Sequence, residues 1–356
     1  MFDINSFIPA HLMQAPPVPL QDAASAEGLR LHLNENPLGS PLIKWYNRYP
    51  DMQQQHRLVQ SVAEIKKVEP DNVMLTNGTA HAIDLLHSVF CGGADHHVII
   101  CPPVSPLFIK SAASRNIKVK EAPLDENYQL SLVHLENITD DNSRILWLCS
   151  PNNPTGNILQ REDIEVVLNN FKGLVVIDEA YINFARSKSF LQELQEYQNL
   201  VILQSFSIAW GLAGLRVAAV FAHPAILKAL AILNPVELST PVLELAEKAT
   251  SEPGQVNDMI KELVAMRNAL AEILKQAPFI EKIYPSEANF LCIKFKDGPA
   301  VYQHLLASGI LVKNLNGLKY CDNCLRITVG TEGENTKLVD ALIDFQRSGN
   351  HHKTTL

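Results

Sequence analysis

Short runs of consecutive apolar residues recur through the first two-thirds of the chain, each ending in a polar or glycine-bearing turn. Residues 73–76, 98–101, 145–148, 174–177, 201–203 and 217–221 are such runs. Apolar runs of this length predict strands buried on both faces, as in a mostly parallel sheet covered by crossover helices. Asn77-Gly78-Thr79 opens a helical pattern with Ile83, Leu86 and Phe90 on one side, and residues 163–171 carry another. After Pro235 the pattern changes. Ile260, Leu263, Arg267, Leu270 and Leu274 recur at helical spacing. Arg267 is expected to bury its stem along that face and keep its head in water. Strands at residues 289–293 and 325–329 follow, and a last helix carries Leu338, Ala341, Leu342 and Phe345. These elements predict a second, smaller α/β domain. Pro9, Pro16, Pro17 and Pro19 break up the start of the chain, which reads as an extended arm. The expected division is an arm over 1–40 packed on the small domain, a large domain over 41–235, a small domain over 236–348 and a frayed tail over 349–356.

Composition narrows the function classes. The chain has 356 residues, 47% hydrophobic and 19% charged, which suits a globular protein with room for two cores. A net charge of −8 gives no reason to expect nucleic acid or an anionic membrane as partner. No apolar run is long enough to span a bilayer. Met1-Phe2-Asp3-Ile4-Asn5 lacks the basic and apolar regions of a signal peptide, so the cytoplasm is the expected location. Cys91, Cys101, Cys149 and Cys292 lie in or beside apolar runs and read as small core residues. Cys321-Asp322-Asn323-Cys324 is an isolated C-x-x-C without a second pair, and no metal is expected there.

The candidate chemistry gathers at the carboxyl ends of the predicted parallel strands, where open α/β sheets bind ligands. Ser150-Pro151-Asn152-Asn153-Pro154-Thr155-Gly156 follows one strand, and Asp178-Glu179-Ala180-Tyr181 the next. Ser205-Phe206-Ser207-Ile208 follows a third, with Gly211, Gly214 and Arg216 close behind. Hydroxyls, backbone N–H groups and an arginine in quick succession suit a phosphate. Gly78-Thr79 starts a helix after a fourth strand, and helix starts attract anions. Each piece also has a plain structural reading: a turn for Asn-Pro-Thr-Gly, a helix cap for Asp178, a half-buried ring for Tyr181. Their common order and placement set the functional reading above these.

That order resembles the class I/II aminotransferases that use pyridoxal 5'-phosphate, and among them the histidinol-phosphate aminotransferase family. The resemblance runs from about residue 33 to about residue 345. It rests on Asn34-Glu35-Asn36-Pro37, Arg48-Tyr49-Pro50-Asp51, Ser150 to Gly156, Asp178 to Tyr181, Gly211 to Arg216 and Cys324 to Thr331. It implies the fold of type I pyridoxal-phosphate enzymes: a large domain with a mostly parallel sheet and a smaller α/β domain. It also implies a homodimer that moves an amino group between L-histidinol phosphate and 2-oxoglutarate in histidine synthesis. By the resemblance, Asp178 would pair with the pyridine nitrogen, and Asn153 and Tyr181 with the ring hydroxyl. Gly78, Thr79, Ser205, Ser207 and Arg216 would hold the phosphate. Tyr49 would reach the neighbouring subunit's cofactor phosphate, and Phe108 would stack on the ring. Arg326 would clamp the substrate carboxylate by a two-pronged ion pair, and Lys313 and Asn36 would also bind substrate.

The sequence departs from the family at points close to the implied site. Gly78-Thr79-Ala80-His81 stands for Gly-Ser-Asp-Glu, and Pro103-Val104-Ser105-Pro106 for an aromatic-rich loop. Ala218-Ala219 and Pro235-Val236-Glu237 also differ, and Lys313 takes the place of an arginine. The largest departure is Ile208, which occupies the position of the lysine that bonds covalently to the cofactor. Isoleucine has no nitrogen and no titratable proton. Three readings follow. The chain holds pyridoxal phosphate, its aminated form or another phosphate ligand without a covalent link, with transamination weak or lost, and serves as a paralogue or partner of an active enzyme. Alternatively it is a working aminotransferase, either through a substitute base, with His81 as a candidate, or because position 208 carries a sequence change. In the third it carries out a lysine-independent reaction on the aminated cofactor.

Overall fold

A computed structural model describes residues 3–13, 34–42, 46–234 and 238–351. Seven strands form the main sheet: β1 (Val73–Thr76), β2 (His97–Ile100), β3 (Lys118–Glu121), β4 (Ser143–Cys149), β5 (Leu174–Asp178), β6 (Leu200–Ser205) and β7 (Ala218–Ala222). Their spatial order is β1-β7-β6-β5-β4-β2-β3. All neighbours run parallel except β7, which is antiparallel to both β1 and β6. Every residue of β2, β5, β6 and β7 is buried, as expected for strands covered on both faces.

Two apolar layers cover this sheet. On one face the helix Thr79–Phe90 sets Ile83, Leu86 and Phe90 against Val98, Ile100, Val176 and Val220. On the other, the helices Met52–Lys66 and Arg161–Asn170 bring Leu58, Val62, Ile164 and Leu168 onto Leu146, Val175 and Ile177. The small sheet consists of β8 (Ile280–Ile283), β9 (Phe290–Phe295), β10 (Lys313–Asn314) and β11 (Cys324–Thr328), in the order β10-β11-β9-β8 and antiparallel throughout. Its outer face packs Leu291, Ile293, Leu325 and Ile327 on the helices Gly298–Ala307 and Glu332–His351. Its other face carries Phe290, Cys292, Arg326 and Thr328.

Two expectations need correction. Residues 3–13 of the arm pack on the large domain. Ile4, Phe7, Ile8 and Leu12 are buried with Phe90, Ile226 and Leu230, and Arg144 donates to the Phe7 carbonyl at 2.8 Å with its guanidinium 3.6 Å from the Phe7 ring centroid. Pro16, Pro17 and Pro19 and residues 352–356 lie outside the described residues. The helix Pro253–Leu274 runs from one core to the other. Val256 is buried in the large core and Leu270 and Leu274 in the small one, while the preceding helix Thr240–Thr250 lies on Met52–Lys66. Arg267 does not reach water. It is 3% exposed and donates to the Ala288 carbonyl at 2.8 Å, so its head satisfies a buried loop instead. Among the described residues no helix is long and apolar enough to cross a membrane.

Candidate active site

Strand ends and one helix start converge at the carboxyl edge of the large sheet. Gly78 caps the helix Thr79–Phe90 with a φ of 84°, and no side chain caps that end. Its missing Cβ matters, because an added one would lie 2.7 Å from Arg216 Nη2. The guanidinium thus rests on the Gly78 backbone. Arg216 itself has a left-handed backbone, φ 56°, and donates to Ser207 Oγ at 3.5 Å and to the Ala213 carbonyl at 3.2 Å. Ser205 Oγ accepts the Ser207 N–H at 3.0 Å and folds the strand end back on itself. Glycine backbone, helix start, two hydroxyls and a guanidinium therefore form one cup, which fits a phosphate monoester.

Asp178 ends β5, 7% exposed, and accepts the Ala180 N–H at 3.0 Å. No cation pairs with it among the described residues. Burial raises its carboxyl from the ordinary 3.8 to about 6, outweighing the lowering by the Ala180 bond. A carboxylate in that state lacks a positive partner, and a protonated ring nitrogen fits that need. Tyr181 OH accepts Asn153 Nδ2 at 3.2 Å, and Arg326 Nη1 donates to Asn153 Oδ1 at 2.5 Å. Burial pushes the Tyr181 phenol above its ordinary value. These residues fit the ring end of pyridoxal phosphate as the cup fits its phosphate end.

A cavity of about 280 Å³ opens here, lined by Tyr181, Ser207, Ile208, Asn289, Phe290, Arg326 and Thr328. Ile208 is half-buried on its wall, and its carbonyl accepts the Gly211 N–H at 3.1 Å. No lysine lines it. The register sets Lys313 of β10 directly across from Arg326 of β11, so the two cations share a sheet face. Asn289 and Thr328 escaped the sequence reading. Thr328 lies two residues beyond Arg326, and strand periodicity was the signal that could have placed it on the same face.

Other expected residues lie elsewhere. Phe108 is wholly buried in the helix Pro106–Ser114, stacked on Trp147 at 4.6 Å and 17°, so it offers no ring face to the cavity. His81 turns back on its own helix start, where its Nδ1 accepts the Asn77 N–H at 3.3 Å, and it does not line the cavity. Ser105 caps the Phe108 helix, and Ala218 and Ala219 are fully buried in β7. Val236 lies outside the described residues. Asn36 and Tyr49 line a separate hollow of about 440 Å³ with Arg48, Ser239 and Pro241.

Known proteins share this family and fold. The family model described as aminotransferase class I and II matches residues 42–342. A histidinol-phosphate aminotransferase of Bacteroides thetaiotaomicron is 39% identical over 89% of this chain and 90% of its own length. That of Cytophaga hutchinsonii is 34% identical over 96% of this chain and 99% of its own. Among solved structures, a putative histidinol-phosphate aminotransferase from Erwinia carotovora superposes with a TM-score of 0.78 at 24% identity, covering 89% of this chain and 95% of that one. The Sinorhizobium meliloti enzyme, in complex with pyridoxal 5'-phosphate, superposes with a TM-score of 0.75 at 22% identity, covering 85% and 83%. The chain belongs to the class I and II aminotransferases, a family whose cofactor is pyridoxal 5'-phosphate, and within it to the histidinol-phosphate aminotransferase group.

Proposed function

We propose that this chain binds pyridoxal phosphate, or its aminated form, without a covalent link, and that amino transfer from histidinol phosphate to 2-oxoglutarate is weak or lost in it. When bound, pyridoxal phosphate supplies an electron sink for bonds at a substrate's amino-bearing carbon. The residues of the chain do the rest. Asp178 accepts a hydrogen bond from the ring nitrogen and holds a proton there. Asn153 and Tyr181 orient the ring hydroxyl. Gly78, Thr79, Ser205, Ser207 and Arg216 hold the phosphate. Arg326 and Lys313 draw in a substrate anion, while the apolar walls Phe290 and Ile208 exclude water.

The single observation that carries the reading is Ile208 on the cavity wall. At that point a lysine would move a proton, and isoleucine cannot. Loss of a positioned base costs about 10² to 10⁴ in rate, or roughly 3 to 5 kcal/mol of barrier. The other titratable groups on the wall are Tyr181 and Arg326. Burial holds the Tyr181 phenol protonated, and Arg326 is engaged with Asn153. Neither replaces the amine. All six cysteines are buried free thiols, the state a reducing compartment keeps, and we place the protein in the cytoplasm as a homodimer.

Borohydride reduction of the protein mixed with pyridoxal phosphate tests this. The expected mass spectrum carries no covalent cofactor adduct, while equilibrium dialysis finds the cofactor bound. An adduct in the unmodified chain would mean that another amine serves the site.

A further inference from the structure

Behind the cavity lies a buried carboxylate that the reading above does not use. Glu179 follows Asp178 and is 2% exposed. Alternation along the chain turns the two side chains to opposite sides of the sheet. Glu179 Oε1 accepts the Phe190 N–H at 2.9 Å, and Oε2 accepts Ser189 Oγ at 2.5 Å and Gln204 Nε2 at 2.9 Å. The Lys66 amine, which donates to Asn183 Oδ1 at 3.4 Å, attracts the same carboxylate. Gln204 is the neighbour of Ser205 on β6. One side chain therefore ties the end of β5, next to Asp178, to the end of β6, next to the phosphate cup. The backbone adds a parallel tie, Glu179 N–H to the Leu203 carbonyl at 2.9 Å.

We propose that Glu179 is a positioning residue that fixes the separation of Asp178 from the Ser205–Ser207 cup. The inference rests on the ligand reading given above. A rigid ligand with a basic ring nitrogen at one end and a phosphate at the other gains from both contacts only when their spacing matches its own length. Either contact alone is indifferent to that spacing. A carboxylate that accepts three hydrogen bonds on its two oxygens, with a cation nearby, is a stiff cross-link, because each donor would be left unpaired if it moved.

The test uses Glu179→Ala and, as a second variant, Gln204→Leu, which keeps the volume and the carboxylate but cuts the cross-link. Each is titrated with three probes: pyridoxal phosphate, pyridoxal and inorganic phosphate. Affinity for pyridoxal phosphate is expected to fall at least about tenfold, with pyridoxal and inorganic phosphate each within about twofold of the unmodified chain. Glu179→Gln, which keeps an acceptor oxygen, recovers part of the loss. A general loosening of the fold weakens all three probes together. Such parallel losses overturn the proposal, as does unchanged pyridoxal phosphate affinity in both variants. Amide hydrogen exchange at Ala180 and Ser207 in the ligand-free protein separates this inference from the ligand reading. If the unmodified chain binds none of the probes, the ligand reading fails. Faster exchange in the variants then still supports the brace, and unchanged exchange sinks it.

Discussion

At the scale of single residues, the proposed site pairs a phosphate cup with an isoleucine at position 208, and both halves can be tested. Ile208 follows Ser205 and Ser207 at the family's spacing, and its half-buried side chain faces the cavity. In Ile208→Lys the new amine starts from that wall, and its partial burial favours the neutral, nucleophilic form. The expected outcome is a borohydride-trapped cofactor adduct in the variant alone. Activity with histidinol phosphate returns only in part, because Ala80, His81, Ser105, Ala219 and Val236 still differ from the family. A variant with no adduct would mean the cavity does not admit the cofactor. Asp178 makes the second test. Its folded carboxyl titrates near 6 against an ordinary 3.8, so the ligand-free fold binds that proton more tightly than the unfolded chain does. The fold bears no penalty below about pH 4, and stability is lost as pH rises from about 4 to about 6. Asp178→Asn removes the penalty, on the order of 3 kcal/mol at pH 7. It should therefore raise the melting temperature of the ligand-free protein at pH 7 but not at pH 4, while weakening pyridoxal phosphate through loss of the charge-assisted bond. Equal melting of variant and parent at pH 7 would rule out a buried, unpaired carboxylate there.

At the scale of elements, what was legible followed burial. β2, β5, β6 and β7 lie inside the sheet, covered on both faces, and an uninterrupted apolar run announces each of them. β3 reads Lys118-Val119-Lys120-Glu121 and was not visible, because it lies at the open edge with its ends exposed. β10, two exposed residues long, left no pattern to find. The antiparallel course of β7 is also absent from its composition. Its only trace is the short connection after β6, residues 206–217, with a single turn of 3₁₀ helix where a parallel neighbour needs a full crossover. In the site, polar residues at strand ends were legible, since that is where parallel sheets leave their ligands. Phe108 was misplaced for a related reason. Phe108, Ser111 and Ala112 form the buried stripe of a helix, and that spacing points into the core and away from the strand ends. Asn289 and Phe290 come from the small domain, and only the packing of the two sheets brings them to Ile208.

At the scale of the whole molecule, one chain holds two parts of the implied site apart. Tyr181, Ser207, Ile208 and Arg326 share one cavity, while Asn36 and Tyr49 border another. Tyr49 is 54% exposed, on a segment held outward by Glu35, which accepts the Tyr49 N–H at 2.8 Å and pairs with Arg48 at 2.6 Å. Leu38 and Leu42 on the same segment are 90% and 59% exposed. A two-fold dimer, the commonest closed assembly, would cover such a segment and carry each Tyr49 to the other subunit's phosphate cup. Sedimentation at micromolar concentration should then find a dimer, and a stable monomer would count against the shared site. Mixing variants gives the sharper result. Tyr49→Ala and Asp178→Ala each weaken pyridoxal phosphate binding when alone. If Tyr49 serves the partner, a dimer with one subunit of each kind has one site with both residues intact and one site with neither. Random exchange of equal amounts then restores normal affinity to about a quarter of all sites. If Tyr49 acts within its own chain, every site in the mixture stays defective and the titration shows no tight fraction.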